Sequence, residues 1–254
     1  MTVAQLAPPL TALADLAEVL SLRGHAVLAA SDVHELAGMT DGALATFAPT
    51  WEALPLDLHL RDAGHYRRRR HACFVVDGGH VTLAPHRAHW QPLEYNALHG
   101  GLARWFEPME DALVASPSWR ALLAAFGQVA SSLRGERRWY VEAHPFRIDA
   151  EGGIGRPTPE GAHRDGVDLV VVMLIARANI KGGETRVFEA AGPAGLRFTL
   201  SEPWSALVLD DARVIHESTP IQPVDAALPA HRDTLVLTYR SGGFQGDALA
   251  LAQG

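Results

Sequence analysis

The segment Gly161-Ala162-His163-Arg164-Asp165-Gly166 sets an imidazole and a carboxylate two positions apart. Alternate residues of an extended chain share a face, so His163 and Asp165 can take neighbouring positions on one cation. A third ligand then has to come from elsewhere in the chain. The stretch from Leu207 to Ser218 offers one: an apolar strand, the turn residues Asp210 and Asp211, and a second strand carrying His216. Two imidazoles and one carboxylate leave three cis positions of an octahedral Fe(II) open to other ligands.

The same tripeptide recurs at His231-Arg232-Asp233. Alone, His-x-Asp is a weak motif, and the bland reading of either copy is a polar turn. The surroundings separate the two. The second copy opens a predicted strand in which Arg232 and Thr234 share a face. A guanidinium fork binds a carboxylate bidentately, and a hydroxyl two residues on adds one more bond. That pair suits the distal carboxylate of an oxo-acid chelated to the metal. His231 and Asp233 have no partner in this scheme and read as structural or solvated. The protein-kinase reading fails on context. Val170 and Thr238 stand where that motif needs the magnesium-binding Asn, and no glycine-rich phosphate loop precedes either copy.

Strands must position these groups, and from Arg138 onward the sequence supplies them. Predicted strands cover 139–148, 168–175, 185–189, 197–200, 206–209, 214–218 and 234–240, with turn clusters such as Glu151-Gly152-Gly153 and Lys181-Gly182-Gly183 between them. Many short strands with regular turns indicate a sandwich or barrel rather than alternating β-α units. Up to about Pro55 the spacing of Leu10, Leu13, Leu16, Leu20 and Leu22 is helical, and Ser31 and Asp41 are candidate N-caps. Residues 67–76 read as a strand, Asp77-Gly78-Gly79 as a hairpin turn and 81–83 as the returning strand. Ser116-Pro117-Ser118 caps a helix reaching about Leu133. The expected fold is mainly β with helices (α+β): a helical N-terminal portion of about 1–60 and a β-barrel core of about 138–241, in a single domain spanning 1–254.

The chain is 48% apolar and 20% charged, the make-up of a globular protein. A net charge of −7 argues against a polyanion binder. The run Arg67-Arg68-Arg69-Arg70 does not restore that reading. In an alternating strand two of the four face each side, and no aromatic platform accompanies them, which favours a structural or substrate-carboxylate role. The single cysteine, Cys73, permits no internal disulfide and reads as inert core. The longest apolar run, Leu169 to Ala176, is far short of the ~20 residues of a membrane span. The N-terminus lacks the basic and apolar regions of a signal peptide. The expectation is a cytoplasmic protein with no membrane or nucleic-acid partner, and an oligomer is compatible.

Taken together, Pro157-Thr158-Pro159-Glu160-Gly161-Ala162-His163-Arg164-Asp165-Gly166, Asn179-Ile180-Lys181-Gly182-Gly183-Glu184-Thr185, His216 and Arg232 resemble the Fe(II)/2-oxoglutarate-dependent dioxygenases. More narrowly, they look like the bacterial family that includes L-isoleucine 4-hydroxylase and BsmA-like proteins named for biofilm and stress phenotypes. The resemblance extends to Arg67–Arg70 and to Tyr95-Asn96-Ala97-Leu98-His99-Gly100-Gly101, covering roughly residues 50–245. It implies a double-stranded β-helix (jelly-roll, cupin-like), with His163, Asp165 and His216 as iron ligands at the catalytic centre and Arg232 anchoring 2-oxoglutarate. Fe(II), 2-oxoglutarate and O2 are the implied cofactors, and hydroxylation of a small molecule, with a free aliphatic L-amino acid favoured, is the implied reaction. Substrate identity then lies in the pocket rather than the ligand set. The alternatives are a metal-binding cupin-like barrel of other chemistry and a non-catalytic regulatory barrel.

Tyr140, Glu142 and His144 share one face of a predicted strand and are candidates to line the pocket. A Glu there can grip the ammonium of an amino acid, against the competing reading of a paired structural carboxylate. Asp210 and Asp211 read as turn residues bonding their own backbone, Asp168 as a polar strand edge, and Glu217 as facing away from the metal.

Overall fold

A computed structural model of the chain describes residues 6–40, 42–60, 64–95, 98 and 100–247. The described residues form thirteen strands: β1 (His25–Leu28), β2 (Arg67–Arg69), β3 (Ala72–Asp77), β4 (His80–Leu83), β5 (Trp139–Asp149), β6 (Leu169–Ala178), β7 (Ile180–Gly182), β8 (Thr185–Glu189), β9 (Gly195–Phe198), β10 (Ala206–Asp210), β11 (Val214–Ser218), β12 (Ile221–Pro223) and β13 (His231–Ser241). Four α-helices accompany them: α1 (Leu16–Arg23), α2 (Ala30–Leu36), α3 (Asp111–Val114) and α4 (Pro117–Arg134).

Strand parity decides how these elements stack. In β6, Leu169, Val171, Met173 and Ile175 enter one apolar cluster, while Val170 and Leu174 enter another. A strand apolar on both faces must lie inside a sheet covered on both sides. The large antiparallel sheet accordingly runs β1-β10-β6-β13-β5-β3-β4, with β2 also paired to β5. One face packs against the helices, through Leu20, Trp119, Leu122 and Phe126 on theirs and Val141, Leu235, Leu237 and Tyr239 on the sheet's. A three-stranded sheet, β11-β8-β9, and the pair β12-β7 complete the strand layers. This is the double-stranded β-helix.

Parity also aims the polar residues. On β13, Arg232, Thr234, Val236 and Thr238 line a cavity, whereas Leu235, Leu237 and Tyr239 enter the helix-covered core. On β5, Glu142, His144, Phe146 and Ile148 line the same cavity, with Val141 and Ala143 behind them. On β2, Arg67 and Arg69 are buried and Arg68 is exposed, the alternation expected of the arginine run. At the turn after β7, Gly182 has φ +80°, and a Cβ there would collide with the Pro220 carbonyl oxygen, so the Lys-Gly-Gly signal marks a close strand approach.

Helix α4 follows its sequence signals. Ser116 and Pro117 open it, the apolar series Trp119, Leu122, Leu123, Phe126, Val129 and Ala130 is buried, and Gly135 at φ +81° ends it. The Tyr239 hydroxyl donates to the Leu123 carbonyl at 3.0 Å and fastens this helix to β13.

Several expectations are corrected. The helical N-terminal portion contains β1, whose Ala26, Val27 and Leu28 are fully buried because they close the β10 edge of the large sheet. Ser31 does not cap α2. The Ala29 N–H is met instead by the Asp32 carboxylate at 3.3 Å, so the cap and the helix start lie two residues earlier. Asp41 lies outside the described residues, as do Asn96, Ala97 and His99 of the upstream motif. The predicted strand over 67–76 is two strands in one register against β5. It is interrupted where Arg70 meets Pro145, which has no N–H to return, and His71 donates to Glu107 instead. The strand predicted over 197–200 sits at Gly195–Phe198, where it pairs with β8. The remaining core strands form where expected, several extended by a few residues.

Asp233 is structural, as read. Its carboxylate receives Arg147 Nε at 2.8 Å and Nη2 at 2.7 Å, and Arg147 also donates to Glu52, binding the 3₁₀ segment Leu44–Ala53 to β5 and β13. Removing one partner of a buried pair strands the other charge. Arg147→Ala is expected to destabilise the protein by about 3 kcal/mol, read as a lower urea midpoint with unchanged slope.

Candidate active site

His163 and His216 face each other across a single antiparallel bridge, each N–H donating to the other's carbonyl at 3.1 and 2.9 Å. Their rings lie 4.7 Å apart. Asp165 follows in a loop, and one ligand atom from each of the three lies within 4.8 Å of the others. His163 Nδ1 stands 3.0 Å from the Gly161 carbonyl, which accepts only, so this nitrogen carries the proton and Nε2 is left as the free donor atom. Burial keeps His216 neutral by lowering its pKa well below the ordinary value, and its Nδ1 has no partner. Neutral imidazole is the form that ligates metal.

The loop is held by a residue read in sequence as a turn former. Asp211 Oδ1 accepts the N–H of Asp165 at 3.0 Å, and Oδ2 accepts those of Gly166 at 2.7 Å and Val167 at 3.1 Å. Gly166 adopts φ +76° beneath the Tyr95 ring, which a Cβ would strike. Asp210 does bond its own turn, at Ala212, and also pairs with Arg134. Glu217 turns away from the ligands to Arg186, and Asp168 receives the Ser241 N–H and hydroxyl, both as expected.

Negative charge accumulates around the ligands. Burial raises the Asp165 carboxyl to about 7 against the pull of His163, and Asp211 and Glu160 add to the rise. Glu160 Oε1 lies 3.6 Å from His163 Nε2, and Glu160 Oε2 is buried without a partner. Two imidazoles and a carboxylate, ringed by further carboxylates, suit a divalent cation. The residues present therefore fit an Fe(II) ion.

Arg232 lies in the same cavity, 3% exposed, and its Nε and Nη2 have no hydrogen-bond partner. Burial brings its pKa down to about 10, with Arg177 opposing its charge further. A buried guanidinium with open donors requires an anion, and Thr234 lines the cavity beside it.

A second cluster adjoins the cavity, with His89, Glu142 and His144 in its lining. His71, His89, Glu142 and His144 also come within 4.8 Å, but hydrogen bonds already engage one ring nitrogen of each histidine and one oxygen of the carboxylate. Arg69 Nη2 approaches His144 Nδ1 at 2.6 Å. A guanidinium only donates, so Nδ1 accepts and the His144 proton sits on Nε2. His71 Nε2 and His89 Nδ1 both reach Glu142 Oε2, at 3.0 and 2.7 Å. Burial works to raise the Glu142 carboxyl, but His89 and His71 outweigh it and hold the group well below the carboxylate range. Burial brings His89 down to about 4. Glu142 and His144 thus line the cavity as expected, with the carboxylate already engaged. Tyr140 does not join them; its ring packs edge-on against Phe244 at 5.1 Å.

A family model described as 2OG-Fe dioxygenase matches residues 48–238. A bsmA homologue from Methylobium petroleophilum PM1 shares 56% identity over 94% of this chain and 97% of its own, with a TM-score of 0.89. IDO from Bacillus thuringiensis is 16% identical over 96% and 99% of the two chains, with a TM-score of 0.73. The Fe(II)/(alpha)ketoglutarate-dependent dioxygenase TqaL is 20% identical over 92% and 89%, with a TM-score of 0.70. These last two share the fold. No curated relative matches the chain by sequence. The chain belongs to the 2OG-Fe dioxygenase family and is a dioxygenase that uses Fe(II), 2-oxoglutarate and O2. Among the described residues no helix is long and apolar enough to cross a membrane.

Sequence reasoning missed Asp211 as the loop's anchor, and it missed Gln91, Arg104, His71 and His89 altogether. Outer partners that orient ligands typically govern metal affinity by 10–100-fold. Asp211→Ala is expected to weaken metal binding by about that factor while the folded far-ultraviolet spectrum persists. Anaerobic Fe(II) or Mn(II) titration reads it.

Proposed function

We propose that the chain hydroxylates a small molecule, with a free aliphatic L-amino acid as the favoured substrate, and acts as one dioxygenase domain over its whole length. The observation that carries the chelation scheme is the buried Arg232 guanidinium, its Nε and Nη2 unpartnered, in one cavity with His163, Asp165 and His216. In this reading those three side chains hold the iron. Arg232 and Thr234 hold the distal carboxylate of 2-oxoglutarate. With 2-oxoglutarate and O2, bound Fe(II) supplies an oxidant that replaces an unactivated C–H by C–OH, leaving succinate and CO2.

The chain's own contribution is placement. The His163–His216 bridge fixes two ligands relative to each other, and Asp211 fixes the third through the backbone. Phe146, Ile148, Val172 and Val236 line the cavity of about 120 Å³ and offer an apolar side chain dry contact. That lining, together with the likeness to the family of L-isoleucine 4-hydroxylase, supports an aliphatic substrate.

Anaerobic addition of Fe(II) and 2-oxoglutarate is expected to produce a weak visible charge-transfer band. His216→Ala should abolish it. Arg232→Ala should raise the 2-oxoglutarate concentration needed for it by about 100-fold. A metal-loaded protein without the band contradicts the chelation scheme.

A further inference from the structure

Two buried guanidiniums in the cavity have no ion-pair partner among the described residues. Arg67 is neutralised by Asp57, with Nε and Nη2 each 2.7 Å from Oδ2. Arg69 and Arg104, 3% and 2% exposed, form no ion pair among the described residues. Arg69 donates to His144, Arg104 donates to Gln91 at 3.0 Å, and the Nε of each is without a partner. Burial lowers the pKa of both, Arg69 well below its ordinary value and Arg104 to about 10, and Arg67 opposes each further. Such charges are costly to bury unless an anion joins them.

The surroundings hold the two forks in place. The Arg69 guanidinium lies between the rings of Phe106, 3.8 Å from the centroid, and Phe146, at 4.4 Å. Arg104 sits on the backbone bridge opposite His89. A chain of contacts joins them: His89 to Glu142, Glu142 two residues from His144 on β5, and His144 to Arg69. Glu142 is the carboxylate of this cluster, and its bonded oxygen is taken by His71 and His89 rather than by either guanidinium. The Nε donors of Arg69 and Arg104 are thereby left for an anion from outside the chain, such as a monocarboxylate. Gln91 then links this group to the ligand set, since its amide accepts from Arg104 and donates to Asp165 Oδ1 at 3.2 Å.

We propose that Arg69 and Arg104 form a carboxylate subsite for the molecule that is oxidised, so that the enzyme requires an acidic substrate and discriminates against its amide or ester. The proposal rests on the hydroxylase reading above and adds the recognition residues. Arg232 takes the co-substrate, and the Arg69–Arg104 pair takes the substrate carboxylate, leaving the carbon chain to run along Phe146, Val172 and Val236 toward the ligands.

The test uses enzyme loaded with Fe(II) and 2-oxoglutarate under anaerobic conditions, where the charge-transfer band first reports the hydroxylase reading independently. Thermal shift is then measured with L-isoleucine, L-leucine and 4-methylpentanoate, and with the matching carboxamides. Succinate formation by the two amino acids and their amides is followed in air. The acids are expected to stabilise the complex and the amides to need at least ~100-fold higher concentration, the usual scale for losing one partner of a buried charge pair. Arg104→Gln should raise the acid concentration required by a similar factor while the band and its 2-oxoglutarate dependence persist. Arg69→Lys keeps the charge but loses the fork, and should weaken acid binding while remaining folded. Three results overturn the proposal with the band intact: equal response to acid and amide, no response to any carboxylate, or unchanged acid binding in both variants. A missing band overturns the hydroxylase reading instead.

Discussion

Three consecutive backbone N–H groups, of Asp165, Gly166 and Val167, converge on the one carboxylate of Asp211. The loop they belong to meets the strands at the His163–His216 bridge, at the Gly155–Ile221 bridge and through the Thr158 hydroxyl on Ser218. Asp211 takes the backbone N–H groups that place Asp165, while the Gln245 amide donates to the Asp165 and Gly166 carbonyls and Gln91 to Asp165 Oδ1. Asp211 stands at the turn between β10 and β11, and β10 is itself anchored between β1 and β6. The position of the proposed third ligand therefore depends on the large sheet through the Asp211 side chain, which takes three of the loop's N–H groups. It also explains why the N-terminal residues matter to the site: β1 seals β10, whose last residue immediately precedes that anchor.

Charge divides the cavity into unlike ends. Around the His163–Asp165–His216 group lie Asp211 and Glu160, an environment short of positive charge. Toward Arg69 and Arg104 guanidiniums gather, and Arg232 on β13 is a further cation, with Arg177 near it. A divalent cation, a dicarboxylic oxo-acid and a carboxylate substrate complement these places in turn. The Gln91 amide touches both ends, so the two ends are joined by hydrogen bonds as well as by the field. The His/Glu cluster, despite its ligand-like composition, acts as the scaffold of the cationic end, because the Arg69 donor assigns the His144 proton away from any metal-ready role.

The barrel was legible in the sequence because its strands alternate cleanly and its turns carry Gly, Pro and Asp. That His163, Asp165, His216 and Arg232 would come together in one cavity was legible because each lies on, or beside, such a strand in the order the family resemblance implies. What was hidden depends on tertiary pairing. The four residues His25 to Leu28, three of them apolar, carry no periodicity that separates strand from helix, and only the open edge of β10 makes them β1. The arginine run showed its two-sided character, but not that Asp57 neutralises Arg67 and leaves Arg69 bare. Arg104, Gln91, His71 and His89 come from segments outside the barrel core, with no motif to announce them. Glu142 was found by parity on β5, yet its two imidazole partners were not, so the carboxylate looked freer than it is.

The central claim is that one cation binds at His163, Asp165 and His216 while the His71–His89–Glu142–His144 cluster stays a hydrogen-bonded network. Anomalous diffraction at the iron edge, from crystals grown anaerobically with Fe(II) and 2-oxoglutarate, locates the metal directly. The account predicts one strong peak within ligand distance of the His163 and His216 Nε2 atoms and of Asp165, with 2-oxoglutarate density reaching Arg232. A peak among His71, His89, Glu142 and His144, or none at the His163–His216 bridge, would contradict it.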